Sequence, residues 1–379
     1  MSTSFSSSPD TLDIDSFRSS SSILKGDKYQ NFEPTDNAIE KEGIRGYWKA
    51  FKKMWGNENI RTPTGPLAVE TSVLSKVFPE EMPSGVAVTW VGHSTNILQV
   101  DGVKILIDPV FSQDISPVSW LYSIKRFTEK LPISIEALPE LDFVIISHNH
   151  YDHLDKRSIK KLKNKTKQFL VPLGVKKHLV KWGVSPERVA EMDWWDELNF
   201  TYRQGEDRRE LTIAATPSRH FSGRSLWDRD ESLWASWVFI GPRTRVYFSG
   251  DTGYGRHFKW IGDKYGPFDL TLMENGQYNE RWKDSHMFPE EAVQGHLDVR
   301  GQYMIPIHWG VFDLSLHNWW EPVTRASKAA QERGVLLWTP KMGESLHLNK
   351  STQGPTYVPE TTEWWLPFVE RDLQTKKGK

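Results

Sequence analysis

The chain contains no cysteine. That excludes disulfides, thiolate metal sites and a cysteine nucleophile, and it leaves His nitrogen and Asp or Glu oxygen as the donors for any metal ion. An excess of charge is also missing: 48 Lys and Arg stand against 49 Asp and Glu, a formal net charge of −1. No field of one sign therefore points to a nucleic acid partner. No apolar run approaches the ~20 residues needed to span a bilayer. Met1-Ser2-Thr3-Ser4-Phe5 opens without the basic start and apolar core of a signal peptide. A cytoplasmic protein is expected.

What is present fits a packed globular chain. Of 379 residues, 38% are hydrophobic and 12% aromatic, enough for one large domain or two ordinary ones. Residues 1–35 carry serine runs at 6–8 and 19–22 and few large apolar groups, so burial cannot offset their ordering entropy and disorder is expected. Residues 36–84 read as an N-terminal extension. Within it Ile44, Trp48, Phe51 and Trp55 recur at helical spacing, Tyr47 and Met54 widen the stripe, and Arg45, Lys49, Lys52 and Lys53 lie between them. A basic, aromatic amphipathic helix over 44–55 either packs on its own domain, the commoner use of such a stripe, or rests on a membrane surface. Residues 85–365 read as the main folded domain and 366–379 as a charged C-terminal tail.

The domain opens with apolar strands at 86–91, 96–100 and 103–107, the last two joined by the tight-turn pair Asp101-Gly102. Further strands are expected at 143–147, 168–171, 211–216, 237–240, 245–249, 270–273 and 303–307. Helices are expected at 156–163, 175–182, 256–265, 289–299 and 320–333. Hairpins followed by alternation predict the α/β class, with two β-sheets flanked by helices.

Four of these strands end in groups that bind metals. Strand 143–147 runs into His148, and His150, Asp152 and His153 follow in one loop; 211–216 leads to His220, 245–249 to Gly250-Asp251, and 303–307 to His308. Five histidines and two aspartates suit a divalent ion and exceed what one tetrahedral ion needs. His148 and His150, two apart in a loop, can share one ion, Asp152 and His153 would face a neighbour, and Asp251 is placed to bridge two. Gly250 would allow a close approach or an unusual turn there. His178, His257, His317 and His347 stand alone and read as structural.

The run His-x-His-x-Asp-His, followed by His220, Asp251 and His308, resembles the metallo-β-lactamase superfamily, and Asp108 in Ile105-Leu106-Ile107-Asp108-Pro109 matches its first, structural motif. The resemblance implies an αββα sandwich. The blocks Ser147-His148-Asn149-His150-Tyr151-Asp152-His153-Leu154-Asp155, Asp193-Trp194-Trp195, Gly250-Asp251-Thr252-Gly253-Tyr254 and His308-Trp309-Gly310 narrow it. They look like the branch of N-acylphosphatidylethanolamine-hydrolysing phospholipases D.

That likeness implies two zinc ions, with manganese as another divalent candidate. One would be held by His148, His150 and His220, the other by Asp152, His153 and His308, with Asp251 between them. It further implies attack of an activated water on the phosphorus of a phospholipid, releasing phosphatidate and an N-acylethanolamine, by a protein that works peripherally at the membrane. Tyr151 and His286 become substrate contacts, and His286 and Asp152 the catalytic candidates. Gln277 and Phe288 depart from the branch's pattern and bear on the pocket, not on a ligand. The competing reading is a soluble hydrolase with the same site, acting on a small phosphodiester or a sugar-phosphate lactone.

Overall fold

A computed structural model describes residues 23–35, 59–80, 84–115, 123–225, 227–349 and 362–377; the amphipathic stretch 44–55 lies outside them. The short strands β1 (Ile23–Lys25) and β2 (Lys28–Gln30) form an antiparallel hairpin. The first large sheet contains β3 (Gly85–Gly92), β4 (Thr95–Val100), β5 (Val103–Ile107), β6 (Leu141–Ile145), β7 (Thr166–Pro172) and β8 (Val189–Met192). The second contains β9 (Glu197–Gln204), β10 (Asp207–Thr216), β11 (Ser236–Ile240), β12 (Arg245–Phe248), β13 (Phe268–Glu274), β14 (Gly301–Ile307) and β15 (Leu336–Leu337). A last strand, β16 (Ser345–Asn349), returns to the first sheet beside β3. Both sheets are mixed: β5 to β8 and β12 to β15 are parallel, and the remaining pairs are antiparallel.

The strands are mostly apolar because most are buried on both faces, β9 and the outer half of β10 excepted. Val86, Val88, Trp90, Ile105, Ile107, Phe143 and Ile145 face Leu211, Ile213, Trp237, Phe239 and Ile305 across the sandwich. The alternate residues Leu106 and Val144 meet Ile159, Leu162 and Leu179 of the helices Lys156–Leu162 and Lys176–Lys181. On the far side, Val238, Tyr247 and Met304 pack on the helices His257–Tyr265, Pro289–Asp298 and Glu321–Arg333. The result is the αββα sandwich expected from the sequence. Among the described residues, no helix is long and apolar enough to cross a membrane.

Two segments differ from expectation. Residues 23–35, inside the stretch expected to be disordered, include the β1–β2 hairpin, and Tyr29 and Phe32 pack against the main core. Serine content upstream hid the two aromatics that anchor it. At the other end, Leu366–Lys377 is a helix that buries Val369 and Asp372, where a charged tail was expected. Asp372 accepts from Thr64 N and Trp319 Nε1, which explains a buried carboxylate in that helix.

Buried tryptophans tie the ends of the strands together. Trp90 and Trp309 stack with centroids 5.4 Å apart; Trp90 Nε1 donates to His93 O and Trp309 Nε1 to Pro306 O. Trp237 Nε1 donates to Ile146 O. Each indole thus fills core volume and satisfies a carbonyl where a strand stops. Truncating one to alanine is expected to cost about 3–5 kcal/mol.

Candidate metal centre

The loop after β6 carries four donors in six residues, and its backbone is fixed from several directions. Asp108, at the end of β5, accepts from Ser147 N at 2.7 Å and Ser147 Oγ at 2.6 Å. Asp155 closes the loop by capping the next helix, accepting from Arg157 N and Ser158 N. Arg224 Nη1 donates to Asn149 O at 2.7 Å and Leu154 O at 2.8 Å, bracing the loop from outside. At the end of β12, Gly250 has φ +58°, and a Cβ there would meet Ala235 O at 2.9 Å and Ser147 Cβ at 3.0 Å. The turn that delivers Asp251 therefore needs glycine. Three other strand ends put non-glycine residues in the left-handed region: His93 (φ 55°), Asp108 (φ 41°) and His308 (φ 70°). Such conformations cost energy and concentrate at functional sites.

The two sheets bring these ends to one place. His308 N donates to His93 O across the sandwich, and Ala235 N to Ser147 O. All seven residues expected as ligands converge. Donor atoms of His148, His150 and His220 lie within 4.8 Å of one another, as do those of Asp152, His153 and His308. Asp251 sits between the sets: Oδ2 is 3.2 Å from His153 Nε2, 3.8 Å from His220 Nε2 and 3.9 Å from His148 Nε2, while Oδ1 is 3.1 Å from His308 Nε2. His178, His257, His317 and His347 belong to none of these groups.

The donor set fits a metal. Three rings donate outward through Nδ1: His153 to Asp108 Oδ2 at 2.7 Å, His220 to Ser285 O at 2.9 Å, and His286 to Glu274 Oε1 at 2.7 Å. In the neutral rings their Nε2 atoms then carry lone pairs. His153 Nε2 lies 3.2 Å from His308 Nε2 and from the Asp251 carboxylate, and His220 Nε2 lies 3.3 Å from His150 Nδ1. A lone pair this close to a second ring nitrogen or a carboxylate needs a proton or a metal ion between them, and outward donation is the usual orientation of a ligating imidazole. Asp251 Oδ1 is buried without a hydrogen-bond partner, as a ligand oxygen would be. Burial pushes His148 and His220 well below the usual imidazole range, which keeps both neutral and able to ligate. Burial works against charge on His153 and Asp251, but Asp251, Asp152 and Asp108 push His153 well above the usual imidazole range. Protonated His153 and His308 in turn hold Asp251 well below the usual carboxylate range, so without a metal a proton takes the cation's place.

Two site residues escaped the sequence reading. His93 follows β3; its Nε2 lies 3.0 Å from Asp152 Oδ2 and its ring 4.0 Å from that of His308, so it joins the Asp152, His153 and His308 group. Glu274 ends β13, fully buried, and accepts from Met287 N as well as His286. Burial, then the charge of Asp251, pushes its carboxyl well above the ordinary range. Both occupy the same kind of strand end that flagged the other candidate donors.

His286 stands at the cluster's edge, grouped with His220 and Asp251. Tyr151 is engaged within the fold: its hydroxyl donates to Arg224 O at 2.9 Å and the Arg224 guanidinium lies 3.9 Å over its ring. The Tyr151 proton is thus already used, and a substrate contact there would fall to the ring or the oxygen lone pairs. Gln277 Nε2 donates to Phe312 O at 3.2 Å, and Phe288 packs 5.1 Å from Tyr278. A cavity of about 390 Å³ opens beside His220, walled by Asn31, Glu33, Phe221, Arg229 and Ser285.

With fold and site in view, the family is clear. The beta-lactamase superfamily domain matches residues 103–309, over half of the chain. The chain belongs to that superfamily and is a metal-dependent hydrolase of it. An uncharacterized protein of Mycobacterium tuberculosis is 45% identical over 286 residues, 74% of this chain and 72% of that protein. The N-acyl-phosphatidylethanolamine-hydrolyzing phospholipase D 1 of Caenorhabditis elegans is 34% identical over 305 residues, 77% of this chain and 83% of that protein. Among solved structures, an isothiocyanate hydrolase from Delia radicum gut bacteria shares the fold, with a TM-score of 0.51 at 17% identity over 72% of this chain and all of that one.

Proposed function

We propose that the chain is a dinuclear zinc phosphodiesterase of phospholipase D type, which hydrolyses N-acylphosphatidylethanolamine-like phospholipids to phosphatidate and an N-acylethanolamine. The observation that carries this is the place of Asp251, with Oδ2 turned to His148, His153 and His220 and Oδ1 to His308. One ion would take His148, His150 and His220, the other Asp152, His153 and His308, with Asp251 shared. Bound there, a divalent pair supplies Lewis-acid stabilisation of a phosphodiester's charge and lowers the pKa of water. Asp152 accepts the proton that the attacking water loses as its oxygen bonds to phosphorus. His286 Nε2, its lone pair free, takes that proton on from Asp152 and passes it to the ethanolamide oxygen as that P–O bond breaks. Glu274, by accepting from Nδ1, keeps the His286 ring turned for that transfer.

The likeness to the nematode enzyme supports the choice of lipid. Residues 44–55 would bring the protein to the bilayer surface from the cytoplasm. The polar walls of the cavity beside His220 favour the second reading, a soluble hydrolase of small phosphodiesters or lactones. Both are tested on metal-reconstituted protein given N-acylphosphatidylethanolamine vesicles, phosphatidylcholine vesicles, bis-p-nitrophenyl phosphate and a lactone. Release of N-acylethanolamine faster than any other turnover is the expected result. Turnover confined to the soluble compounds would overturn the lipid assignment and favour the second reading.

A further inference from the structure

Residues 29–35 cross the strand ends that carry the site, and one side chain in them holds a ligand's backbone. Asn31 Nδ2 donates to His220 O at 2.7 Å, and Asn31 Oδ1 accepts from His220 N at 3.1 Å and from Trp234 Nε1 at 3.1 Å. Since β10 ends at Thr216, no ladder partner is there to take the polar groups of His220. Buried backbone groups need partners, and a single asparagine from the far end of the chain provides both. The His220 ring is held separately, through Nδ1 to Ser285 O. The direction of Nε2 is therefore set from two sides: the peptide by Asn31, the ring by Ser285.

The strap itself is well fastened. Glu33 pairs with Arg256 at 2.9 Å, Arg256 Nη2 donates to Phe32 O at 2.9 Å, and Arg219 Nη2 donates to Pro34 O. The Phe32 ring packs against Trp194, His257 and Trp260 at centroid distances of 5.1 to 5.9 Å. These contacts place Asn31 without its own bonds having to hold the strap down.

We infer that Asn31 is a positioning residue for His220, delivered by the N-terminal strap to fix the peptide from which that imidazole is aimed. The inference rests on the reading of His220 as a metal ligand. Partners one step removed from a metal typically control affinity or activity by 10–100-fold. Full-length protein reconstituted with cobalt(II) provides the test, with affinity from chelator competition and coordination from the visible absorption spectrum. N31A is expected to bind cobalt about 10–100-fold more weakly with a shifted spectrum, while its chelator-treated form keeps the far-UV circular dichroism of wild type. N31D retains the acceptor contacts and loses the donor to His220 O, so it should fall between. Wild-type affinity and spectrum in N31A would overturn the inference; should metal-free N31A not fold, unchanged affinity in N31D would do so. H220A separates the premise: if it binds cobalt as wild type does, the ligand reading itself fails, whatever N31A shows.

Discussion

His286 Nδ1 donates to Glu274 Oε1 at 2.7 Å, and the carboxyl group that accepts it is fully buried behind the cluster of histidine and aspartate donors. The pair leaves His286 Nε2 facing the groups around Asp251. If that nitrogen serves substrate, His286→Ala should lower turnover about 10²–10⁴-fold, the usual weight of a positioned proton donor, without changing metal per chain by elemental analysis. Glu274→Gln keeps an acceptor for Nδ1 and should lose less than Glu274→Leu. Lost metal in His286→Ala would make it a ligand, and unaltered kinetics would make it a bystander.

Asp251→Asn tests the bridge. The amide removes the negative charge that four imidazoles surround, and it turns an N–H toward Nε2 atoms or metal. Metal content should fall and turnover should be almost abolished, with the far-UV circular dichroism unchanged because Gly250, not Asp251, shapes the turn. Full activity at undiminished metal content would remove Asp251 from the site.

The strand ends were legible because each apolar run stops at an ionisable side chain: Ile307 before His308, Ser249-Gly250 before Asp251. The same signal stood before His93 and Glu274, after the strands read at 86–91 and 270–273. One polar residue beyond a strand looks like any turn until the other sheet's His308 is seen bonded to His93 O. The hairpin of β9 and β10 was half missed for another reason. Its outer part, around Gly205, is partly solvated on both faces, so Asp207-Arg208-Arg209-Glu210 shows no alternation. Asn31 was out of reach altogether: its meaning lies in two bonds to a residue 189 positions away, and composition placed it in a disordered segment.

Residues 44–55 yield a prediction from spacing alone. On the docking view, Trp48 and Phe51 enter the headgroup boundary, and four basic side chains add ~1 kcal/mol each on an anionic surface. Replacing Trp48 and Phe51 with Glu should then reduce co-sedimentation with anionic vesicles and activity on lipid. Hydrolysis of bis-p-nitrophenyl phosphate and the melting temperature should stay at wild-type values. A fall in melting temperature instead would assign the stripe to packing.

His296 gives the stability of the fold an acid edge that can be measured away from the metal. It lies buried on the helix Pro289–Asp298, with Nδ1 2.8 Å from Thr271 Oγ1, and burial pushes its pKa down to about 4. In the unfolded chain an imidazole titrates near 6.5. Above that value neither state binds the proton and the full stability is present. As pH falls from 6.5 to 4, the unfolded chain takes up a proton that the folded chain refuses, so this group draws stability down by about 1.4 kcal/mol per pH unit. Below the folded pKa both states are protonated and the loss levels off. His296→Gln does not titrate, and wild type and variant share every other histidine. The variant's deficit against wild type in denaturant unfolding should therefore be largest above pH 7 and shrink by about 3 kcal/mol toward pH 4. A deficit that stays constant with pH would mean that His296 binds its proton equally well in the folded and unfolded chain.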